Sequence, residues 1–402
     1  MPTEEPRFEI QAILNANCKA YRRGRDPLVR NIRERVEDAK SALGRKAGAL
    51  AGSVGDQLPV IGRKAGKLAG SVSEKKDKIL ERVGSIHLPE YLTRVHVTER
   101  IQDLRRVLQH LYHREREGLG KRITLFLGGD GTIRDVTTGL AHLGTKLDDL
   151  VVAYRGEGTI NVLARELGIK KSLREYLATI SSHQLDELEQ IKVPTFKVTG
   201  YTSQGTDLVT HGQMFGLGIV PNFLEEYYKD KYNTLRSTLR IVGKVLTSIP
   251  LSLIYKNQTY HQFFDTFRMS VNGREYELNF FMFQTLRYFT FFKIFNKVDP
   301  ERMLGHAIGI NAGPVEIFTR YLHRMLLQWD IKGAAIDEQA QVLELDFKGR
   351  YINYIINGDN SQLDLEKGRE LQLRAKRIRL EVNSNLNVLT GNLKPEARPI
   401  GS

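Results

Sequence analysis

Between residues 123 and 136 an apolar run gives way to three glycines and a carboxylate, and this stretch strongly constrains the fold. The apolar run favours a strand, and the apolar residues from Thr132 onward recur at helical spacing. The glycines Gly128, Gly129 and Gly131 therefore lie in a strand-to-helix turn. Such a turn accepts positive φ, lets another group lie against bare backbone and directs free N–H groups towards it. This geometry favours an anion, most often a phosphate.

A second glycine turn follows the next predicted strand, at 149–155. Gly156, Gly158 and Thr159 come directly after that strand, and a helix is predicted at 161–167. Because ligands of parallel sheets bind at the carboxyl ends of the strands, the two turns are expected to face one crevice. The pair is much stronger evidence than either turn alone.

The order of predicted elements indicates two kinds of architecture. Strands alternate with helices up to about residue 187, which predicts a parallel α/β domain carrying an insertion at about 40–85. From 188 to 385, short alternating runs separated by Gly, Asn and Asp predict an antiparallel β-sandwich, interrupted by one helix at 224–253. Residues 386–402 form a C-terminal tail that is expected to return to the first domain.

Composition points to a soluble chain. Of 402 residues, 41% are hydrophobic and 27% are charged, which is ordinary for a globular protein. Cys18 is the single cysteine, residues 1–30 contain no apolar signal segment, and no run of 18 apolar residues occurs. We therefore expect a cytoplasmic protein without a membrane-spanning helix.

The net charge of +13 is concentrated near the N-terminus. Residues 17–82 hold 17 Lys and Arg against 8 Asp and Glu, and include two copies of a glycine repeat, at 44–61 and 62–79, identical at 11 of 18 positions. A helix here would turn its leucines and valines inward and its basic side chains towards anionic lipid headgroups, whereas a flexible linker is the alternative. Without interleaved aromatic residues, a nucleic-acid partner ranks low. Peripheral membrane contact through 40–85 is therefore expected.

At the two glycine turns the sequence resembles the diacylglycerol kinase catalytic-domain family, which includes sphingosine and ceramide kinases and bacterial diacylglycerol kinases. The family's G-G-D-G-T-x-x-E appears at 128–135, with Asp135 in the place of the glutamate, and its G-T-G-N appears at 158–161, with Ile160 in the place of a small residue. A D-G-x-x-D segment of the family is missing. The resemblance implies an NAD-kinase-like α/β domain and a β-sandwich, with ATP between them.

The resemblance also implies transfer of the γ-phosphoryl group of ATP to a lipid hydroxyl, with Mg²⁺ bridging the phosphates. Asp130 is the expected magnesium ligand and a catalytic residue, although a D-G pair is also a common turn. The late turn N-G-D stands where the family has D-G-E, so Asp359 is the expected general base, although this is also a plain hairpin sequence. The nucleotide-binding residues implied are Asn15, Asn17, Thr98, Gly128, Gly129, Asp130, Gly131, Thr132, Gly158, Thr159 and Asn161.

Other functions stay open at this point. The chain could be a non-catalytic lipid-binding protein with a kinase-like fold, or a phosphotransferase similar to NAD kinase, although it lacks that family's N-E pair after the second turn. Seven phenylalanines at 279–295 suit either sandwich core packing, the favoured interpretation, or an apolar slot for a lipid tail. The sequence does not choose between diacylglycerol, a sphingoid base and ceramide as substrate, and it leaves a homodimer open.

Overall fold

The computed structural model describes part of the chain in detail. The glycine repeat at 44–79 and the predicted helix at 224–253 lie outside the described residues. The described residues are 9–16, 29–34, 37, 38, 41, 92–98, 101–115, 122–157, 161–201, 207–222, 264–289, 292–313, 316, 320, 321, 324, 333–347, 354–357 and 377–395.

Helices and strands alternate in the first half of the described chain, and strands dominate the second half. The helices are α1 (Ile101–Glu115), α2 (Asp130–His142), α3 (Val162–Glu166) and α4 (Leu173–Ser182). The strands are β1 (Glu9–Asn15), β2 (Leu92–Thr98), β3 (Arg122–Gly128), β4 (Val151–Gly156), β5 (Leu188–Tyr201), β6 (Asp207–Gly212), β7 (Met214–Gly218), β8 (Phe267–Val271), β9 (Arg274–Leu278), β10 (Phe280–Gln284), β11 (Tyr288–Phe289), β12 (Phe292–Lys293), β13 (Gly305–Ile310), β14 (Ile336–Ala340), β15 (Val342–Phe347), β16 (Tyr354–Ile356) and β17 (Arg377–Leu393).

The described residues divide into two compact units. The first takes those within Met1–Leu127, Lys170–Glu189 and Gly391–Ser402, and the second those within Gly128–Ile169 and Gln190–Thr390. The C-terminal residues thus belong with the first unit. The domain boundary expected at residues 187 and 188 stays a prediction, because compactness describes packing and not independent folding.

The first unit contains a parallel sheet with β1 between β2 and β3. Leu14 pairs with Val97 on one side and with Leu127 on the other. Ile10, Ala12, Ile13 and Leu14 are all buried on this central strand. A strand buried on both faces is typical of parallel sheets covered by helices, which explains why the apolar residues at 12–14 follow one another without polar residues between them.

The second unit contains two larger sheets. In one, the strand order is β4-β17-β15-β8-β9, with β5 pairing to β17 and to β6. Here β4 and β17 are parallel, while β17, β15, β8 and β9 are antiparallel. The other is the antiparallel sheet β14-β13-β10-β7-β16, and β11 and β12 form a separate ribbon. Among the described strands, β9 is an edge, and Arg274, Glu275 and Glu277 on it are exposed.

The alternation of side chains along β10 explains most of the phenylalanine-rich segment. Phe281 and Phe283 are buried in a core shared with residues of β8, β15 and β17. Met282, buried, and Phe280, partly buried, pack in a second apolar cluster, which also holds Phe295. Two clusters on opposite sides of one strand follow from its two-residue period. Core packing, the favoured interpretation of this segment, is confirmed for these phenylalanines.

The observed architecture is the expected one. A mixed sheet flanked by helices and a separate antiparallel sheet correspond to the predicted combination of parallel α/β structure and antiparallel β-structure. The N-G turn between β8 and β9 has φ of 48° at Asn272 and 83° at Gly273, as a tight hairpin turn requires. Within the described part of the chain, no helix is long and apolar enough to cross a membrane.

Candidate functional site

The first glycine turn joins β3 to α2 with almost no connecting residues. Gly128 ends the strand, Gly129 is the extended N-cap residue, and the helix begins at Asp130. The carbonyl of Gly129 accepts hydrogen bonds from the N–H groups of Thr132 at 3.0 Å and Ile133 at 3.4 Å. A helix has no internal partner for the N–H groups of its first turn, which makes this end electropositive. The sequence prediction began the helix at Thr132, two residues too late.

Glycine at position 128 is required by a close contact. A Cβ at this position would lie 2.3 Å from Thr132 Oγ1, well inside van der Waals contact. Thr132 is buried in the first turn of α2. The absence of a side chain therefore lets the helix begin immediately over the strand end, as the glycine pattern predicted.

The second turn joins β4 to α3 and depends on an unusual asparagine. Asn161, the N-cap residue of α3, has φ and ψ of 53°, in the left-handed region that asparagine tolerates better than most residues. Its side-chain Nδ2 donates to the carbonyl of Gly156 at 3.1 Å. A Cβ on Gly156 would lie 2.7 Å from that of Ala164, so this turn also needs a bare backbone. Gly158, Thr159 and Ile160 lie outside the described residues.

Asp130 holds the two turns together. Its carboxylate oxygens accept hydrogen bonds from the first two N–H groups of α3, those of Val162 at 3.0 Å and Leu163 at 3.1 Å. The carbonyl of Gly128 also accepts from Glu157 N at 2.7 Å and from the Tyr154 hydroxyl at 3.3 Å. The starts of α2 and α3 are therefore fixed side by side within the second unit.

The position of Asp130 bears on its expected role as a magnesium ligand. Each oxygen of a carboxylate carries two lone pairs, so hydrogen bonds to two N–H groups leave acceptor capacity for a cation. Among the described residues, no group of three or more His, Cys, Asp or Glu side chains could hold a metal. Mg²⁺ with a nucleotide needs only one or two carboxylates, because phosphates and waters complete its octahedron. A single aspartate fits such an ion.

Two further predicted residues lie together in the first unit. Asn15 ends β1 and pairs with Thr98 at the end of β2. The backbone N–H of Ala16 donates to the carbonyl of Thr98 at 2.9 Å, and the Thr98 hydroxyl donates to the carbonyl of Leu14 at 3.5 Å. Both residues therefore occupy carboxyl ends of parallel strands, where ligands of such sheets bind. Asn17 and Asp359 lie outside the described residues, as does nearly all of 40–85.

Asp135, which replaces the family's glutamate, is paired with its neighbour. Its Oδ1 accepts from Arg134 Nη2 at 2.8 Å and from Arg134 Nε at 3.0 Å. The other terminal nitrogen of Arg134, Nη1, donates to the carbonyl of Ile356 at 3.5 Å. Helix α2 is thereby connected to β16, which leads into the predicted N-G-D turn.

Two structural features of this region escaped the sequence interpretation. Glu166, at the end of α3, accepts a hydrogen bond from Arg287 N at 2.9 Å, and its Oε1 lies 3.7 Å from Arg287 Nε. Burial raises the pKa of Glu166, and the contacts with Arg287 oppose that shift. The second feature is Asn357, whose amide contacts the first glycine turn. No sequence signal identified Glu166, whereas the N-G pair at 357 and 358 was noted only as a turn.

Comparison with known proteins agrees with this geometry. The family model described as "Diacylglycerol kinase catalytic domain" matches residues 67–193, which include both glycine turns. No curated protein matches this chain in sequence. The match confirms the resemblance noted at the two turns and supports a kinase.

The fold is shared with solved structures at low sequence identity. One is a putative diacylglycerol kinase from Bacillus anthracis str. Sterne, with 13% identity, a TM-score of 0.52 and coverage of 97% of each chain. Another protein of the same description and source has 12% identity, a TM-score of 0.52 and coverage of 98% of this chain and 99% of the other. These similarities concern the fold over almost the full length.

Proposed function

We propose that this chain is an ATP- and Mg²⁺-dependent lipid kinase that transfers the γ-phosphoryl group to a hydroxyl of diacylglycerol or of a sphingoid long-chain base. The observation that carries the proposal is the joining of the two glycine turns through Asp130, at the N-terminus of α2. The family match over both turns supports the same activity.

In this proposal the first glycine turn binds the phosphates of ATP. The N–H groups at 129–131 donate to phosphate oxygens, since that of Thr132 already donates to the carbonyl of Gly129, and the N-terminal end of α2 stabilises the negative charge of the phosphates. The hydroxyls of Thr132 and Thr159 add donors. Asp130 would hold Mg²⁺, directly or through water, and the ion would neutralise charge on the β- and γ-phosphates.

The acceptor hydroxyl is activated from the N-G-D turn. Its oxygen attacks the γ-phosphorus, the bond between that phosphorus and the β–γ bridging oxygen breaks, and Asp359 takes the hydroxyl proton. The products are ADP and a lipid phosphate. Because the transition state is loose, the hydroxyl needs only partial deprotonation, so an ordinary carboxylate serves as the base.

The test is a transfer assay with the purified full chain, radiolabelled ATP and Mg²⁺ on vesicles containing diacylglycerol, sphingosine or ceramide. Removing a general base costs about 10²–10⁴ in rate, so D359N should lower kcat by at least about a hundredfold with little change in the KM for ATP. D359E should keep most activity, because it restores a carboxylate with longer reach.

D364N is the matched control, since Asp364 is the next carboxylate along the same segment. We expect D364N to retain wild-type kcat. Absence of label in every lipid with the wild-type chain would favour a lipid-binding protein, and label in a soluble nucleotide would favour a phosphotransferase similar to NAD kinase. Equal losses in D359N and D364N would remove Asp359 from the mechanism.

A further inference from the structure

Asn357, the residue directly after β16, is buried and has a left-handed backbone conformation, a combination that is uncommon in loops. Its φ is 56°, in the left-handed region, and its side chain is only 3% exposed. Its backbone N–H donates to the carbonyl of Met214 at 2.8 Å. A buried, left-handed asparagine is costly unless its amide makes specific hydrogen bonds.

The hydrogen-bond partners of Asn357 fix the orientation of its amide. The Oδ1 atom accepts from two backbone N–H groups at the bend between β6 and β7, Gln213 N at 2.7 Å and Met214 N at 3.0 Å. Since two N–H donors must face an oxygen, the other end of the amide is the NH₂ group. That group donates to Gln213 Oε1 at 2.6 Å and to the carbonyl of Asp130 at 3.3 Å.

The network continues away from the glycine turn into the sandwich. Gln213 is buried, and its Nε2 donates to Thr195 Oγ1 at 3.0 Å. The approach is tight, because a Cβ on Gly212 would lie 2.5 Å from Ile356 Cγ2 and 2.9 Å from Asn357 Oδ1. Asn357 thus lies between a buried polar cluster and the backbone of the first glycine turn.

Asp130 is consequently held both at its backbone carbonyl and at its side-chain carboxylate. Its carbonyl accepts from the amide of Asn357, while its carboxylate accepts from the first N–H groups of α3. Helix α2 has a second connection here, because Arg134 donates to the carbonyl of Ile356, the residue directly before Asn357. A displacement of Asn357 would therefore be transmitted to both glycine turns.

We infer that Asn357 is a positioning residue, which sets the place of Asp130 and of the first glycine turn through its side-chain NH₂ group. The catalytic part of this inference rests on the proposed function. An ionised aspartate at 357 could accept from Gln213 N and Met214 N, but it could not donate to the carbonyl of Asp130. The amide, and not merely a polar side chain, is what this position requires.

The test compares N357D with T195V in the full-length chain. Aspartate tolerates the left-handed conformation, so N357D keeps the backbone turn and both acceptor contacts while it loses the donor. T195V removes a hydroxyl from the same network at its far end. Glycine also tolerates the conformation, so N357G provides a second, uncharged variant should N357D fail to fold.

The first readout is amide hydrogen exchange at Val162 and Leu163, which needs no catalytic activity. We expect exchange about tenfold faster in N357D and N357G, because loosening Asp130 weakens the bonds from these two N–H groups. T195V should leave the exchange rates of these two N–H groups at their wild-type values, once any change in the free energy of global unfolding is taken into account. Equal rates in all variants, or equal acceleration in T195V and N357D, would overturn the inference.

The second readout is the KM for ATP in the lipid kinase assay. N357D should raise it by about tenfold and leave the KM for lipid unchanged, while T195V should alter neither by more than about twofold. A loss of kcat alone, with the KM for ATP unchanged, would contradict a role in placing the phosphate-binding turn. If the wild-type chain phosphorylates no lipid, the proposed function fails, and the exchange experiment still decides the role of Asn357.

Discussion

At the scale of single residues, His211 is a buried titratable group that should lower the free energy of unfolding in acid. It is buried on β6, and its Nδ1 atom has no hydrogen-bond partner among the described residues. Its pKa is lowered from 6.5 to about 4, first by burial and then by electrostatic interaction with Lys197 and His142. The folded protein therefore holds this imidazole neutral.

This histidine should make the protein less stable as the pH falls from about 6.5 to about 4. In that range the unfolded chain binds a proton at His211 and the folded chain does not, so acid favours unfolding. The full difference is roughly 3 kcal/mol. We expect H211F to reduce the loss of unfolding free energy between pH 7 and pH 4 by an amount of this order in urea titrations.

The comparison must use the change of unfolding free energy with pH rather than the unfolding free energy itself, because H211F also changes packing. His183, which is only partly buried, offers a control, and H183F should leave the pH dependence close to that of the wild type. An H211F protein with the same pH dependence as the wild type would show that His211 binds its proton with the same pKa in the folded and unfolded states.

Asp130 shows why a single substitution at a motif residue is ambiguous. Its carboxylate accepts hydrogen bonds from two backbone N–H groups, so its removal leaves unsatisfied donors at the start of α3 whether or not a metal binds. Lost activity in D130N would therefore not identify a magnesium ligand on its own. This structural role was foreseen only in general terms, as a turn-forming aspartate.

At the scale of elements, the junction between β3 and α2 should be intolerant of even one methyl group. G128A would place its Cβ 2.3 Å from Thr132 Oγ1, and overpacking of this kind costs about 1–3 kcal/mol. Gly313 is a matched control, because no atom of the described residues lies within 4 Å of a Cβ there. We expect thermal or urea unfolding to show a clear loss for G128A and little change for G313A. Equal stabilities would contradict the close contact.

Strand β17 shows where sequence reasoning about elements stopped short. The alternating residues to Val382 predicted a strand, but the asparagines that follow are typical of loops, and the strand continues to Leu393. Its second part pairs in parallel with β4, and Asn387 Nδ2 donates to the carbonyl of Asp148 at 2.7 Å. Long-range pairing of this kind overrides local propensity and leaves no local signal.

At the scale of the whole molecule, the basic insertion should bind membranes by charge. Each Lys or Arg near an anionic surface contributes about 1 kcal/mol. Replacing two such residues in R45Q/K46Q should weaken binding to vesicles containing anionic phosphatidylserine by about tenfold or more, and added salt should reduce the difference between the variants. Sedimentation of the full chain with vesicles measures this.

R377Q/R379Q is the control, because it removes the same charge from β17 and not from the insertion. Arg377 Nη2 lies 2.9 Å from Glu344 Oε2, and Arg379 Nη1 lies 3.6 Å from Glu344 Oε1. We expect this variant to bind vesicles nearly as the wild type does. Equal weakening by both double substitutions would mean that net charge, and not the insertion, governs the association.

The part of the candidate site that local sequence motifs encode could be predicted from the sequence. Glycines at two strand ends, with the rule that parallel strands bind ligands at their carboxyl ends, predicted that the turns at 128 and 156 lie together. The hydrogen bonds from Asn357 and from Arg134 to partners more than 200 positions away in sequence could not be foreseen, because no local pattern encodes them. Tertiary packing decides such contacts.

The charged residues of β9 limit how copies of this protein can associate. An edge strand invites a neighbour to extend the sheet, and β9 is such a strand among those that the structure describes, yet Arg274, Glu275 and Glu277 stand exposed on it. A symmetric, antiparallel neighbour added there would have to desolvate these ionised groups to form at most a few main-chain bonds. We therefore expect the charged side chains of β9 to disfavour continuous strand-to-strand assembly and aggregation along that side.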